Sequence, residues 1–314
     1  MARTPRIAVI GSANADLITF GDLFPRPGET VFGRSFLLAF GGKGANQAIA
    51  ARLCGAEVMM VAKVGNDVFG EATVRNFAGF GVDTTHVERV PGVSTGVATI
   101  FVEPSGQNRI IVVKGANDLL TPADVDAAIP LLKTVDMLIL QFEIPLETVY
   151  HAIRFASAHG IPCIVNPAPA LPADLGALAS GADCLIPNES EAEILTGRPV
   201  HTPDAARACA TTLMERGFRR IVFTLGERGS LLADADGHVH VEPFKVSTVD
   251  TTGAGDAFIG SFAVSLAEGL GPSDAVARAN LYAALSTTHK GAQQSFPKRA
   301  EFESEWTRRG QPRR

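Results

Sequence analysis

The sequence predicts an α/β protein: a doubly wound, mostly parallel sheet flanked by helices, with a small β-sheet inserted as a separate layer. Short apolar runs alternate with Ala-rich segments of helical period, the signature of strands joined by crossover helices. Polar residues fall at or just past the carboxyl end of one predicted strand after another, the edge where open α/β sheets bind ligands. Residues 17–40 and 93–117 break the alternation with β-rich runs that have no helix between them. The 314 residues, 46% hydrophobic and 19% charged, read as one domain, 1–314, with ample material for a core.

The elements follow in order. Arg6 to Ile10 is a short apolar strand that runs into Gly11-Ser12-Ala13-Asn14-Ala15-Asp16, read as a polar turn. Asn14 and Asp16 could each grip a hydroxyl or merely close that turn. Leu17 to Phe40 reads as extended hairpin structure around Pro25-Arg26-Pro27-Gly28, ending at Gly41-Gly42-Lys43-Gly44-Ala45-Asn46-Gln47. A helix is predicted from Ala45 to Leu53, so these glycines bring backbone close to something before a helix N-terminus. Lys43 followed by Gly44 rules out a P-loop, and the glycine spacing rules out a dinucleotide fingerprint.

Glu57 to Val64 is the next strand, and a helix covers about Val68 to Phe80. Val97–Glu103 and Arg109–Val113 flank Pro104-Ser105-Gly106-Gln107-Asn108 as a second hairpin. With residues 17–40 it forms a β layer suited to a lid or to a dimer contact. Regular alternation then resumes. Strands at 135–141, 161–165, 183–186 and 220–225 end at Phe142-Glu143, Asn166-Pro167, Pro187-Asn188-Glu189-Ser190-Glu191 and Thr224 to Gly229. Helices are predicted near 145–158 and 202–216, short strands near 230–233 and 238–241, and final helices near 254–268 and 273–288.

Between the last strand and those helices lies Asp250-Thr251-Thr252-Gly253-Ala254-Gly255-Asp256. A run of small residues feeding a helix offers free N–H groups and the positive end of a dipole to an anion. Asp256 is badly placed to hold a phosphate there. It suits the removal of a proton from a hydroxyl attacking a phosphoryl group, and it could equally stabilise a helix start.

A net charge of −5 gives no electrostatic reason to expect nucleic acid or an anionic membrane as partner. The N-terminal apolar run stops too soon for a signal peptide, and no window approaches a membrane span. Cys54, Cys163, Cys184 and Cys209 are widely spaced in apolar or helical contexts, as buried thiols of a cytoplasmic protein would be. Arg308, Arg309, Arg313 and Arg314 read as a frayed basic tail.

From about Ile7 to Pro297 the sequence resembles the ribokinase family of carbohydrate kinases. The resemblance is carried in order by Ser12 to Asp16, Pro27 to Thr30, Gly41 to Ala48, Ser94 to Ala98, Asn166 to Pro169, Asn188 to Glu191, Thr224 to Gly229, Asp250 to Phe258 and Lys290 to Gln293. It implies ATP-dependent phosphorylation of D-ribose at its 5-hydroxyl, with deoxyribose, fructose or a nucleoside as alternative acceptors. A non-catalytic sugar- or nucleotide-binding protein is a further alternative, which the intact Asp256 and its small-residue loop oppose.

By the same resemblance Asp256 is the base and the amides of Gly253, Ala254 and Gly255 form the anion hole. The sugar is expected at Asn14, Asp16, Gly42, Lys43, Asn46, Glu143 and Asp256. The nucleotide is expected at Asn188, Thr224, Leu225, Gly226, Glu227, Arg228, Gly229 and Gly255, with Asn280 beside the adenosine. Asn188-x-x-Glu191 has the form of a helix capping box, and the resemblance gives it Mg²⁺ and its waters as well. A monovalent cation, K⁺, is expected at Asp250, Thr252, Ser286, His289, Gly291 and Ser295. The β layer is then a lid over the sugar that also joins two chains as a homodimer.

Overall fold

A computed structural model describes residues 3–200 and 202–310, so Arg313 and Arg314 lie outside the described residues. The strands are β1 (Arg6–Ile10), β2 (Asn14–Phe20), β3 (Ser35–Gly41), β4 (Glu57–Gly65), β5 (Asp83–Val90), β6 (Gly96–Val102) and β7 (Asn108–Val113). They continue with β8 (Met137–Gln141), β9 (Cys163–Asn166), β10 (Cys184–Leu185), β11 (Ile221–Thr224), β12 (Ser230–Asp234) and β13 (Gly237–Val241). Nine form one sheet in the order β13-β12-β11-β10-β9-β8-β1-β4-β5, and four form a second in the order β3-β2-β6-β7. The large sheet is parallel from β5 to β11, with β12 and β13 added antiparallel.

Strand β1 sits between β4 and β8, and the chain winds outward in opposite directions on its two sides. A crevice opens at such a switch point, outside the carboxyl ends of the strands. Alternation along β1 sends Ile7 and Val9 into a core with Ile49, Met60, Phe262 and Tyr282. Ala8 and Ile10 face the other way, into a core with Val61, Leu138, Leu140 and Phe223. Both faces of the sheet are therefore covered, as its near-continuous apolar strands require.

Two helices carry the crevice. Lys43–Leu53 and Ala254–Ala267 pack against each other because Gly260 has no side chain: a Cβ there would lie 2.6 Å from Ala50 Cβ and 2.8 Å from the Gln47 carbonyl oxygen. Close approach of these backbones lets short amide side chains reach across from one helix to the other.

Several expected boundaries shift. Asn14, Ala15 and Asp16 are not a turn but the first residues of β2, which pairs with β3 on one side and β6 on the other. Two flanking strands supply the hydrogen bonds that an Asx turn would otherwise provide. The first helix begins at Lys43 rather than Ala45, with Gly42 as its N-cap. Strand β5 was not foreseen: it edges the sheet, so Glu88 and Arg89 reach water and dilute its apolar pattern. The 183–186 strand shrinks to Cys184–Leu185. Among the described residues no helix is long and apolar enough to cross a membrane, and all four cysteines are free and buried.

Candidate active site

The small-residue run does feed a helix. Gly253 is the N-cap in a left-handed conformation (φ 77°), and Asp256 lies in the first turn. The Ala254 N–H donates to the Thr251 carbonyl at 3.2 Å, leaving the N–H groups of Gly253, Gly255 and Asp256 with no acceptor among the described residues. These free donors border a cavity of about 210 Å³ lined also by Lys43, Asn188, Glu191 and Thr224. Asn166, one of the strand-end polar residues, completes the wall with Ile186, Thr251 and Ile259, and the last three were not among the expected site residues.

Asp256 is only 8% exposed. Its Oδ2 accepts from Asn46 Nδ2 and its Oδ1 from Gln47 Nε2, each at 2.9 Å. Burial pushes its carboxyl upward from the usual range, partly offset by Lys43, Asn46 and Gln47, while Glu143 adds to the rise. Burial works against the charge of Lys43, but the carboxylates of Asp256, Glu143 and Glu191 outweigh it and hold the ammonium protonated. Lys43 is thus the shared counter-charge of three acidic groups brought from separate elements.

Glu143 follows β8 and bridges to the other side of the switch point. Its Oε2 accepts from Ser12 Oγ at 2.5 Å and from the Lys43 N–H at 2.9 Å. Ser12 also accepts from the Gly44 N–H at 3.2 Å, so the strand end and the helix start are tied through one hydroxyl. Asn14 is fixed by Asn117, whose Nδ2 donates to Asn14 Oδ1 at 2.7 Å, and no acceptor among the described residues takes the Asn14 Nδ2. Asn117 also clamps Ala13 through both its amide atoms. Nothing near it in sequence marked Asn117, because its partner lies 103 residues away.

Asp16 stands two residues from Asn14 and on the same face of β2. Its carboxylate lies over Gly41, where a Cβ would come within 2.2 Å of Oδ2. No donor among the described residues reaches it, and burial together with the Glu143 charge raises its carboxyl to about 7. An unpartnered carboxylate and a free amide N–H group on one strand face suit a ligand rich in hydroxyls.

On the far side of the cavity, Asn188 and Glu191 make the capping box in full. Asn188 Oδ1 accepts from the Glu191 N–H at 2.9 Å, and Glu191 Oε2 accepts from the Asn188 N–H at 2.8 Å. Yet Glu191 is buried and lines the cavity, with its carboxyl raised first by burial. Thr224 bridges to Asn188 and opens the loop Gly226–Arg228, where Arg228 pairs with Glu189 and its carbonyl accepts from His240 at 2.7 Å. Asn280 spends its amide internally: Oδ1 accepts from Ser230 at 2.6 Å and Nδ2 donates to the Val241 carbonyl at 3.2 Å.

Comparison with known proteins decides what kind of crevice this is. The model of the family described as "pfkB family carbohydrate kinase" matches residues 4–299. The chain belongs to that family. It is a ribokinase-family sugar kinase. The kinase is 48% identical over 296 residues to the deoxyribokinase of Salmonella typhi, covering 94% of this chain and 97% of the relative. It is 43% identical over 297 residues to the ribokinase of Bacillus subtilis, covering 95% and 98%. The structure of Arabidopsis thaliana ribokinase complexed with ribose and ATP superposes with a TM-score of 0.89 at 30% identity, covering 96% of this chain and 98% of that one.

The residues of the kinase also fit the cations its family implies. Glu191 and Asn188 offer an acidic, oxygen-rich wall to a hydrated Mg²⁺, which needs few direct protein ligands. Asp250 Oδ1 accepts from the Thr252 N–H at 2.9 Å and Oδ2 from the Gly291 N–H at 2.8 Å, which draws its carboxyl downward although burial acts the other way. The carbonyls of Thr252, Ser286, His289 and Gly291 receive no hydrogen bond from the described residues. Unpaired carbonyls around a carboxylate-tied loop suit a large monovalent cation. The hydroxyls of Ser286 and Ser295 instead donate to the carbonyls of Ala283 and Ala292. Among the described residues no cluster of three or more Asp, Glu, His or Cys could hold a metal.

Proposed function

We propose that the kinase transfers the γ-phosphoryl group of MgATP to the 5-hydroxyl of D-ribose. Asp256 takes the hydroxyl proton, the free N–H groups at the start of its helix receive the developing charge, and Lys43 neutralises the crowded carboxylates. Asn188, Glu191 and the Thr224–Gly229 loop would hold MgATP, and Mg²⁺ bound there would supply charge shielding for the phosphates. The Asp250 and Gly291 loops would hold a K⁺ ion, whose charge would help keep that helix start in place.

The observation that carries ribose is the pair Asn14 and Asp16. One buried amide donor and one half-buried carboxylate, each without a partner among the described residues, match adjacent sugar hydroxyls. A sugar lacking the 2-hydroxyl would leave one of them unpaired, and sites of this kind discriminate strongly against the missing group. The 48% identity to a deoxyribokinase favours 2-deoxyribose as the second reading. In a coupled ADP-release assay, ribose is expected to exceed 2-deoxyribose in kcat/KM by on the order of 10² or more. Equal or better use of 2-deoxyribose would overturn the assignment of ribose and leave the kinase reading intact.

The small sheet serves as lid and as dimer contact. Register places Ile18, Ile100 and Ile110 on the Asp16 face and Leu17, Leu38 and Ile111 on the other. Strand β7 is exposed along its whole length, with Ile111 64% and Val113 54% exposed. An apolar edge of this kind needs a cover, and the same face of a second copy would supply one.

A further inference from the structure

Proton removal demands more than a carboxylate in the right place. The base must present one lone pair to the sugar and remain ionised while buried. Two chains of amides converge on Asp256 to do this. Along one, Gln141 Nε2 donates to Gln47 Oε1 at 2.8 Å, and Gln47 Nε2 donates to Asp256 Oδ1 at 2.9 Å. Along the other, Asn76 Nδ2 donates to Gln293 Oε1 at 2.8 Å, Gln293 Nε2 to Asn46 Oδ1 at 3.0 Å, and Asn46 Nδ2 to Asp256 Oδ2 at 2.9 Å. Every link runs the same way, with N–H groups pointing toward the carboxylate.

Gln47 is the link that stays out of the cavity. It is fully buried, whereas Asn46 keeps 7% exposure and a free face for the sugar. The second N–H of Gln47 goes to Asn166 Oδ1 at 3.2 Å, so both of its donors and its acceptor are engaged. A flipped Gln47 would set its carbonyl against two oxygens and its NH₂ against that of Gln141. The acceptor-only Asp256 carboxylate therefore dictates its direction, and Gln141 donates to the carbonyl end at a cost: Gln141 Oε1 is buried without a partner among the described residues. A residue kept for packing alone would not need an orphaned acceptor behind it.

We propose that Gln47 is a positioning residue for the base, holding the plane and direction of the Asp256 carboxylate without touching sugar or nucleotide, and that Gln141 braces it by donating to its carbonyl oxygen. The inference rests on Asp256 being the base of the proposed kinase reaction. The charged groups facing Asp256 are Lys43 from the same helix as Gln47, Glu143 beyond β8, and Glu191 from the helix Glu189–Thr196. None of them is hydrogen-bonded to the Gln47 side chain, whose partners are Asp256, Asn166 and Gln141.

The test uses the full chain with ribose and MgATP, comparing Gln47→Leu, Gln141→Leu and Asp256→Asn with the wild type. Gln47→Leu removes a donor to the ionised carboxylate. The acid limb of its kcat–pH profile should move to higher pH by about one unit, with kcat lowered on the order of 10- to 100-fold and sugar KM within about twofold. Gln141→Leu should move the limb in the same direction while its thermal midpoint stays within about 5 °C of wild type, because an unpaired carbonyl leaves together with the lost hydrogen bond. If Gln47→Leu does not fold, Gln141→Leu decides. Asp256→Asn should bind both substrates and lose about 10²- to 10⁴-fold in kcat. Retained turnover in that variant overturns the base and this inference together. An inactive Asp256→Asn beside unmoved acid limbs, or a raised KM at normal kcat, overturns the role of Gln47 alone.

Discussion

Replacing Asp16 by Asn separates the stability of the crevice from its function. The Asp16 carboxyl rises from the ordinary 3.8 to about 7, first through burial and then through Glu143. An acid shifted upward disfavours folding in its ionised form. That penalty is absent below about pH 4, where folded and unfolded chains are both protonated, grows as pH rises, and is complete above about pH 7. The full shift corresponds to about 4 kcal/mol, and the amide that replaces the carboxylate remains partly desolvated, so a gain of about 2–4 kcal/mol is expected at pH 8. For a chain of this length that is about 3–6 °C in Tm, measured by calorimetry at pH 8 and pH 4.5 without ligands. Most of the gain should vanish at the lower pH. The same variant loses charged hydrogen bonds to sugar hydroxyls, so ribose KM should rise by about 10- to 100-fold. A Tm difference that does not depend on pH, or an unchanged KM, would refute the reasoning.

Two further outcomes concern the partners of the fold. Exchanging K⁺ for Na⁺ at constant ionic strength should lower kcat, and the Asp250→Ala variant, whose Gly291 N–H loses its acceptor, should no longer distinguish the two ions; indifference of the wild type to the exchange would remove the cation site. Replacing Ile110 and Ile111 by Asp, one on each face of β7, should convert a dimer to a monomer in sedimentation equilibrium, and an unchanged mass would assign the exposed sheet to something other than a second copy.

Much of the crevice could be read from local sequence because its parts are helix starts and strand ends. Gly253 to Asp256 and Asn188 to Glu191 are short-range patterns whose geometry follows from the backbone hydrogen bonds a helix terminus leaves open. Asn14 and Asp16 were legible as candidate hydroxyl-binding groups but not as part of β2, since a strand in a four-stranded sheet is defined by partners more than twenty and eighty residues away. Asn117 and Gln141 carried no local mark at all, and Ser12 and Gln293 stood inside recognisable motifs without a role of their own. Each matters through one contact with a group distant in sequence: Asn117 with Asn14, Ser12 with Glu143, Gln141 with Gln47, Gln293 with Asn46.

By itself the sequence determined the alternation that winds the large sheet, the inserted β layer, and the identity of the acidic residues at the strand ends. Period and punctuation are properties of the chain, and they suffice to order the elements. Only the tertiary structure decided that Lys43 is shared by three carboxylates, that Asp16 lies unpaired over Gly41, and that amides from two directions hold Asp256. Charge balance and hydrogen-bond direction depend on which groups meet at ångström distances in a desolvated space. Those meetings follow from how the helices Lys43–Leu53 and Ala254–Ala267 close over the switch point, with Gly260 setting how near they come.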